Sequence, residues 1–228
     1  MNLMKKFCLI LLSASVAIPS ALFAQSAEPQ NPKHSYTNVY TQELQSIIQN
    51  DQIEISEYLN NNARSLPINE EITYTVNTSS GNTYDIILKM EEKNTNGAQT
   101  YGQDKYEVKA NTDYTFTYKQ KELNGRTGGF TAKVDYTVGD IKSGLVASLT
   151  ANSTSLEGIA PPQGMKLEGS DIWIADNDGY TIYVNGYITF LHTASNLTAN
   201  CYPTISIVPA GNSSASANKV LITYGYTM

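Results

Sequence analysis

From Glu71 onward the side chains of this chain alternate, apolar then polar, with a period of two. Phe130, Ala132, Val134, Tyr136 and Val138 interleave with Thr131, Lys133, Asp135 and Thr137. A β-strand sends successive side chains to opposite faces, so such a run describes a strand with one face in a core and the other in water. The same pattern covers Ile72, Tyr74 and Val76, and then Tyr84, Ile86, Leu88 and Met90, with Ser79-Ser80-Gly81-Asn82 between them as a hairpin turn. Tyr114, Phe116 and Tyr118 form a further strand face, and Leu145, Ala147 and Leu149 another. A weaker strand is expected near Tyr106 and Val108. A short one spans Asp171 to Ala175, and a long one runs from Tyr180 to Phe190 with Gly186 as a bulge or bend. Thr204 to Val208 and Lys219 to Tyr226 complete the set. Residues 151–170, with Pro161-Pro162, read as a long crossover connection. About ten strands with frequent turns predict a mainly β chain. The expected form is an antiparallel β-sandwich, or an open barrel, over residues 68–228.

The segment before the strands has a different period. Tyr40, Leu44, Ile47, Ile48, Ile55, Tyr58 and Leu59 recur at helical spacing, which predicts one amphipathic helix over 38–64. Asn38 or Thr41 would cap it, Asn50-Asp51 would be a point of division, and Asn60-Asn61-Asn62 would stop it. Residues 25–37, polar and carrying Pro29 and Pro32, read as disordered. Ahead of them, Lys5 and Lys6 precede an apolar run from Phe7 to Phe23 that is interrupted by Ser13, Ser15, Pro19 and Ser20 and ends at small Ala24. Charge, a short apolar core and a small residue form the pattern of a cleavable export signal over 1–24. A periplasmic or secreted protein is the expectation.

Loss of that segment would remove two lysines and Cys8, leaving 204 residues with 13 basic and 21 acidic side chains and a net charge of about −8. Such a chain repels nucleic acid and anionic lipid, and no basic cluster offsets this. No stable transmembrane anchor is expected, because no second apolar run approaches spanning length. Cys201 would then stand alone, which fits a bacterial exported protein better than a disulfide-dense secreted domain. The Asn-x-Ser/Thr triplets at Asn77, Asn152, Asn196 and Asn212 read as chance in a chain rich in those residues.

Catalytic signatures are scarce. His34 and His192 are the two histidines. A Cys201–His192 nucleophile would need the two to meet, and no family signature surrounds either. Asp176-Asn177-Asp178-Gly179 reads as a hairpin turn, since Ile174 stands where a calcium loop needs a ligand. No cofactor, metal or catalytic residue is assigned.

Sixteen tyrosines invite a binding interpretation, but Tyr74, Tyr84, Tyr114, Tyr118, Tyr136, Tyr180 and Tyr224 share faces with aliphatic residues and are expected in the core. Tyr183 and Tyr187 fall on the opposite face of their strand, with Thr181, Asn185 and Thr189. Trp173 is likewise opposite Ile172 and Ile174. If these strands pair, Trp173, Tyr183, Tyr187 and Asn185 form an aromatic-polar face suited to a carbohydrate, peptide or protein ligand. The competing expectation is that the helix covers this face as a second core. A non-enzymatic exported binding protein is the functional expectation.

Two resemblances suggest alternatives. Val220, Ile222, Tyr224 and Tyr226 resemble the alternating, tyrosine-ended C-terminal strand of pilus subunits, which implies a fimbrial or surface-assembly role. Such subunits also donate an apolar N-terminal arm, and residues 25–37 lack one. An N-terminal amphipathic helix before a tyrosine-rich sandwich is similar to the layout of actinoporin-like cytolysins, which implies a pore-forming toxin. Here Glu43, Asp51, Glu54 and Glu57 face a single base, Arg64, whereas interfacial helices are commonly basic.

Overall fold

A computed structural model describes the backbone of residues 32–93, 104–210 and 218–226, with side chains from Thr41 onward. The expected export segment, residues 25–31 and residues 94–103 lie outside the described residues. Within them the chain is mainly β: one helix, α1 (Pro32–Asn62), precedes twelve strands. β1 (Glu71–Asn77), β2 (Thr83–Glu92), β3 (Thr112–Glu122), β4 (Gly129–Val138) and β7 (Leu149–Ala160) form one antiparallel sheet in that order. The second sheet contains β8 (Met165–Asn177), β9 (Ile182–His192), β10 (Leu197–Cys201), β11 (Pro203–Pro209) and β12 (Val220–Tyr226). β5 (Ile141–Lys142) and β6 (Leu145–Val146) make a small separate ribbon. The two large sheets share no ladder, so the architecture is a sandwich and not a closed barrel.

β10 and β11 lie along one line. Leu197–Cys201 oppose His192–Ile188, and Thr204–Ile207 oppose Asn185–Ile182 in the same register. The break falls at Tyr202-Pro203, where proline supplies no N–H to the ladder. Gly186 sits opposite this break. A Cβ there would lie 3.2 Å from the Asp171 carbonyl oxygen and 3.4 Å from Pro203 Cγ. The glycine therefore serves close approach and not the expected bulge. The register shifts of this ladder lie in β8, between Leu167 and Gly169 and between Ile174 and Asp176.

The inner faces carry the residues whose alternation marked the strands. Tyr84, Tyr114, Phe116, Tyr136 and Val138 from the first sheet meet Ile182, Ile188, Ile207 and Ile222 from the second, all buried. Tyr224 reaches across, with ring centroids 6.3 Å from Phe116 and 6.1 Å from Tyr118. Tyr84, Tyr114, Tyr118, Tyr136 and Tyr224 are core residues. Tyr180, expected among them, is half exposed because it lies in the turn before β9 begins.

Several local expectations are corrected. The helix starts at Pro32, inside the segment read as disordered; proline is well suited to a first helical turn, where its missing N–H leaves no bond unmade. The helix also runs unbroken through Asn50-Asp51. Residues 151–170 are not a crossover connection but parts of β7 and β8, joined by residues 161–164. These residues are largely exposed, so they carry no apolar alternation that would betray a buried face. Residues 104–110 form no strand. Ile68 N donates to Lys105 O and Val108 N to Asn218 O, which pins this stretch as a loop with Val108 buried. Leu145 and Leu149 belong to separate strands.

α1 closes the sandwich at one side. Leu44, Ile48, Ile55 and Leu59 are buried in the common core. Its carboxamides bind strand backbone in pairs. Gln45 Nε2 donates to Asn200 O (3.1 Å) while Asn200 N donates to Gln45 Oε1 (2.6 Å). Asn60 Nδ2 donates to Tyr224 O (2.7 Å) while Tyr224 N donates to Asn60 Oδ1 (2.9 Å). Among the described residues, no helix is long and apolar enough to cross a membrane.

Candidate functional site

The outward face of the second sheet gathers the four residues singled out in the sequence. β8 and β9 pair with Trp173 opposite Asn185 and Asp171 opposite Tyr187. On the other side of β9, Asn185 opposes Thr204 and Tyr183 opposes Ser206. Trp173 and Tyr187 are diagonal neighbours, ring centroids 6.4 Å apart and planes inclined at 55°. The Tyr187 ring also lies over Gly169, whose missing Cβ would sit 3.7 Å from it. Trp173 is 43% exposed and Tyr183 45% exposed; Tyr187 and Asn185 are half-buried. The helix packs on β10 and β12, so it does not turn this surface into a second core.

On the first sheet the polar groups satisfy one another. Asp135 accepts from Thr115 Oγ1 (2.7 Å), Ser153 Oγ (2.8 Å) and Lys93 Nζ (2.8 Å). Burial acts to raise its pKa, but these three partners outweigh it and hold the carboxyl below the usual range. Thr137 donates to Asp113, Thr75 to Asp85, and Lys133 pairs with Glu157. On the second sheet the carboxamide of Asn185, the indole N–H of Trp173 and the hydroxyls of Tyr183 and Tyr187 form no hydrogen bond with the described residues. Flat apolar rings beside unspent donors and acceptors can hold a ligand that presents both a nonpolar face and hydroxyl or amide groups.

The other chemical candidates take structural roles. Cys201 is free and buried, and burial pushes its thiol up to about 12, far from a thiolate at neutral pH. It opposes Ile188, four residues from His192 along β9, a strand distance of about 13 Å. His192 Nδ1 lies 3.0 Å from Ser195 Oγ instead. Asp178 accepts from the backbone amides of Thr181 (2.6 Å) and Tyr180 (2.7 Å), which hold its carboxyl low and lock the turn. Among the described residues, no three His, Cys, Asp or Glu side chains cluster as metal ligands.

One polar group was hidden from the sequence. Asp51, fully buried on α1, accepts at Oδ2 from Asn82 Nδ2 and from the Tyr84 hydroxyl, both at 2.7 Å. The Tyr84 hydroxyl also meets Thr127 Oγ1. The partners lie 31 and 33 residues from Asp51, so no local spacing announces them. No family model, curated protein or solved structure matches the chain.

Proposed function

We propose that this chain is an exported, non-enzymatic bacterial binding protein, which holds its ligand on the outer face of the second sheet. One observation carries the reading: Trp173, Tyr183, Tyr187 and Asn185 share an uncovered face with their polar atoms unspent, while the opposite outer face is polar and internally bonded. The ligand class that fits best is a neutral carbohydrate chain. Sugar rings offer C–H faces for the aromatic rings and hydroxyls for Asn185, Thr189, Thr204 and Ser206. The nearby charges include Asp171 and Asp176, which disfavour an anionic ligand. Export rests on the basic and apolar start of the chain.

Affinity electrophoresis in gels containing neutral glucans, mannans or xylans tests the reading. The wild-type protein is expected to be retarded by at least one polymer. Trp173→Ala and Tyr187→Ala are each expected to weaken that interaction roughly tenfold or more, because buried aromatic anchors dominate such contacts. Thermal melting of both variants supplies the control. A collapse of melting temperature in Trp173→Ala, or full retardation of both variants, would remove this face as the binding surface. Liposome dye release would instead favour a pore-forming toxin, and concentration-dependent polymerisation a surface-assembly subunit.

A further inference from the structure

A second polar site lies where α1 passes the β1–β2 and β3–β4 turns. A cleft of about 310 Å³ opens there, lined by Glu43, Leu44 and Ile47 of the helix, Ser80 and Asn82 of one turn, and Arg126 and Thr127 of the other. That volume is at the lower end for small-molecule pockets.

Three features of this cleft are unexplained by folding. Glu43 and Arg126, of opposite charge and on different elements, form no ion pair with each other or with any described residue. Asn82 is 2% exposed and lines the cleft, yet its Oδ1 has no donor among the described residues. Asp51, bonded to Asn82 and fully buried, likewise leaves Oδ1 without a donor, and no cation lies within ion-pair distance of it among the described residues. Buried acceptors are nearly always satisfied in folded proteins. Two neighbouring exceptions of the same sign leave the cleft wall at Asn82 short of N–H donors. Leu44 and Ile47 add an apolar wall.

We propose that this cleft binds a small zwitterion, a free amino acid or dipeptide with an apolar side chain. Its ammonium group faces Glu43 and the Asn82 side chain. Its carboxylate faces the Arg126 guanidinium, whose planar fork matches two carboxylate oxygens. Its side chain lies against Leu44 and Ile47. The site shares no residue with the aromatic face of the second sheet, so either can fail without the other.

Calorimetric titration of the full chain with leucine and with leucyl-leucine tests the assignment. N-acetyl-leucine removes the ammonium group and leucinamide the carboxylate. The zwitterions are expected to bind, and each blocked compound to bind roughly tenfold or more weakly. Glu43→Gln and Arg126→Gln alter exposed side chains and are expected to fold normally, as their melting curves would show. Glu43→Gln should reduce affinity for leucine but not for N-acetyl-leucine, and Arg126→Gln should reduce affinity for leucine but not for leucinamide. Trp173→Ala should leave all four titrations unchanged. Absence of heat with both zwitterions at 10 mM (roughly the weakest affinity of interest), or equal binding by wild type and both charge variants, overturns the proposal.

Discussion

Asp51 enters the core on the buried face of α1 with neutral donors, Asn82 and Tyr84, as its bonded partners. In the sequence it reads as a place where the helix divides, because aspartate competes with helical backbone and prefers water. The structure reverses that reading: the carboxylate joins the helix to the β1–β2 hairpin. Burial holds the Tyr84 hydroxyl well above its ordinary range, so it stays protonated and able to donate. Replacing Asp51 by alanine would strand the Asn82 amide, while the Tyr84 hydroxyl would keep Thr127 Oγ1 as a partner. A stranded buried donor costs about 1–3 kcal/mol, so Asp51→Ala should lower stability by roughly 2 kcal/mol. Glu54→Ala is the comparison. Glu54 sits one turn-step away and bonds Ser79 at the surface, through its backbone N–H (2.8 Å) and hydroxyl. That contact should be worth about 1 kcal/mol or less. Urea unfolding midpoints measure both, and equal losses would show that Asp51 does not hold the junction.

At the scale of elements, α1 acts on the sandwich as a guard of open strand edges. Asn60 takes both backbone groups of Tyr224 on β12, and Arg64 O accepts from Ile222 N on the same strand. Gln45 does the same for Asn200 on β10. Unpaired edges invite pairing with other chains, and covering them is one way proteins avoid it. Asn60→Ala should therefore speed amide exchange of Tyr224 about tenfold, at a stability loss of about 1–2 kcal/mol. Unchanged exchange would mean that water serves the edge equally well. This role was invisible in the sequence, since Asn60-Asn61-Asn62 reads only as a helix stop. Legibility followed burial. The strands with one buried face, such as β2, β4 and β9, could be read from alternation, as could the outward placement of Trp173, Tyr183 and Tyr187. β7 and the first part of β8 could not; in β7, for example, Thr150, Asn152, Ser153 and Ser155 are exposed and leave no apolar period. Gly158, with φ of 60°, further disguises β7 as a loop. Likewise Glu43, Asn82 and Arg126 come together only through packing of the helix against two separate turns.

For the whole molecule, filling a sandwich core with tyrosine has a consequence for pH. Burial pushes the hydroxyls of Tyr118, Tyr136, Tyr84 and Tyr224 well above their ordinary value of 10.0, and that of Tyr114 up to about 12. Burial also pushes the Cys201 thiol from 9.0 up to about 12. All six groups are neutral in the folded chain through this range. Above pH 9 the unfolded chain begins to release the Cys201 proton, and above 10 the tyrosine protons, while the folded chain keeps them. The unfolded state then binds fewer protons, so stability falls as pH rises. Below pH 9 these groups contribute no slope. Each group contributes about 1.4 kcal/mol per pH unit between its unfolded and folded values. Five tyrosines acting together approach the roughly 5–15 kcal/mol stability of a whole domain within one to two units above pH 10. The protein should therefore unfold steeply in alkali while remaining insensitive between pH 7 and 9. Tyr136→Phe separates this effect from general alkaline damage. Among the described residues the Tyr136 hydroxyl has only the Met90 sulfur as a partner, at 3.4 Å, a weak acceptor. Its removal should change the urea midpoint little at pH 8, yet make the variant more stable than wild type at pH 11. If the variant and wild type lose stability in parallel between those two values, ionisation of buried tyrosine is not what limits the fold.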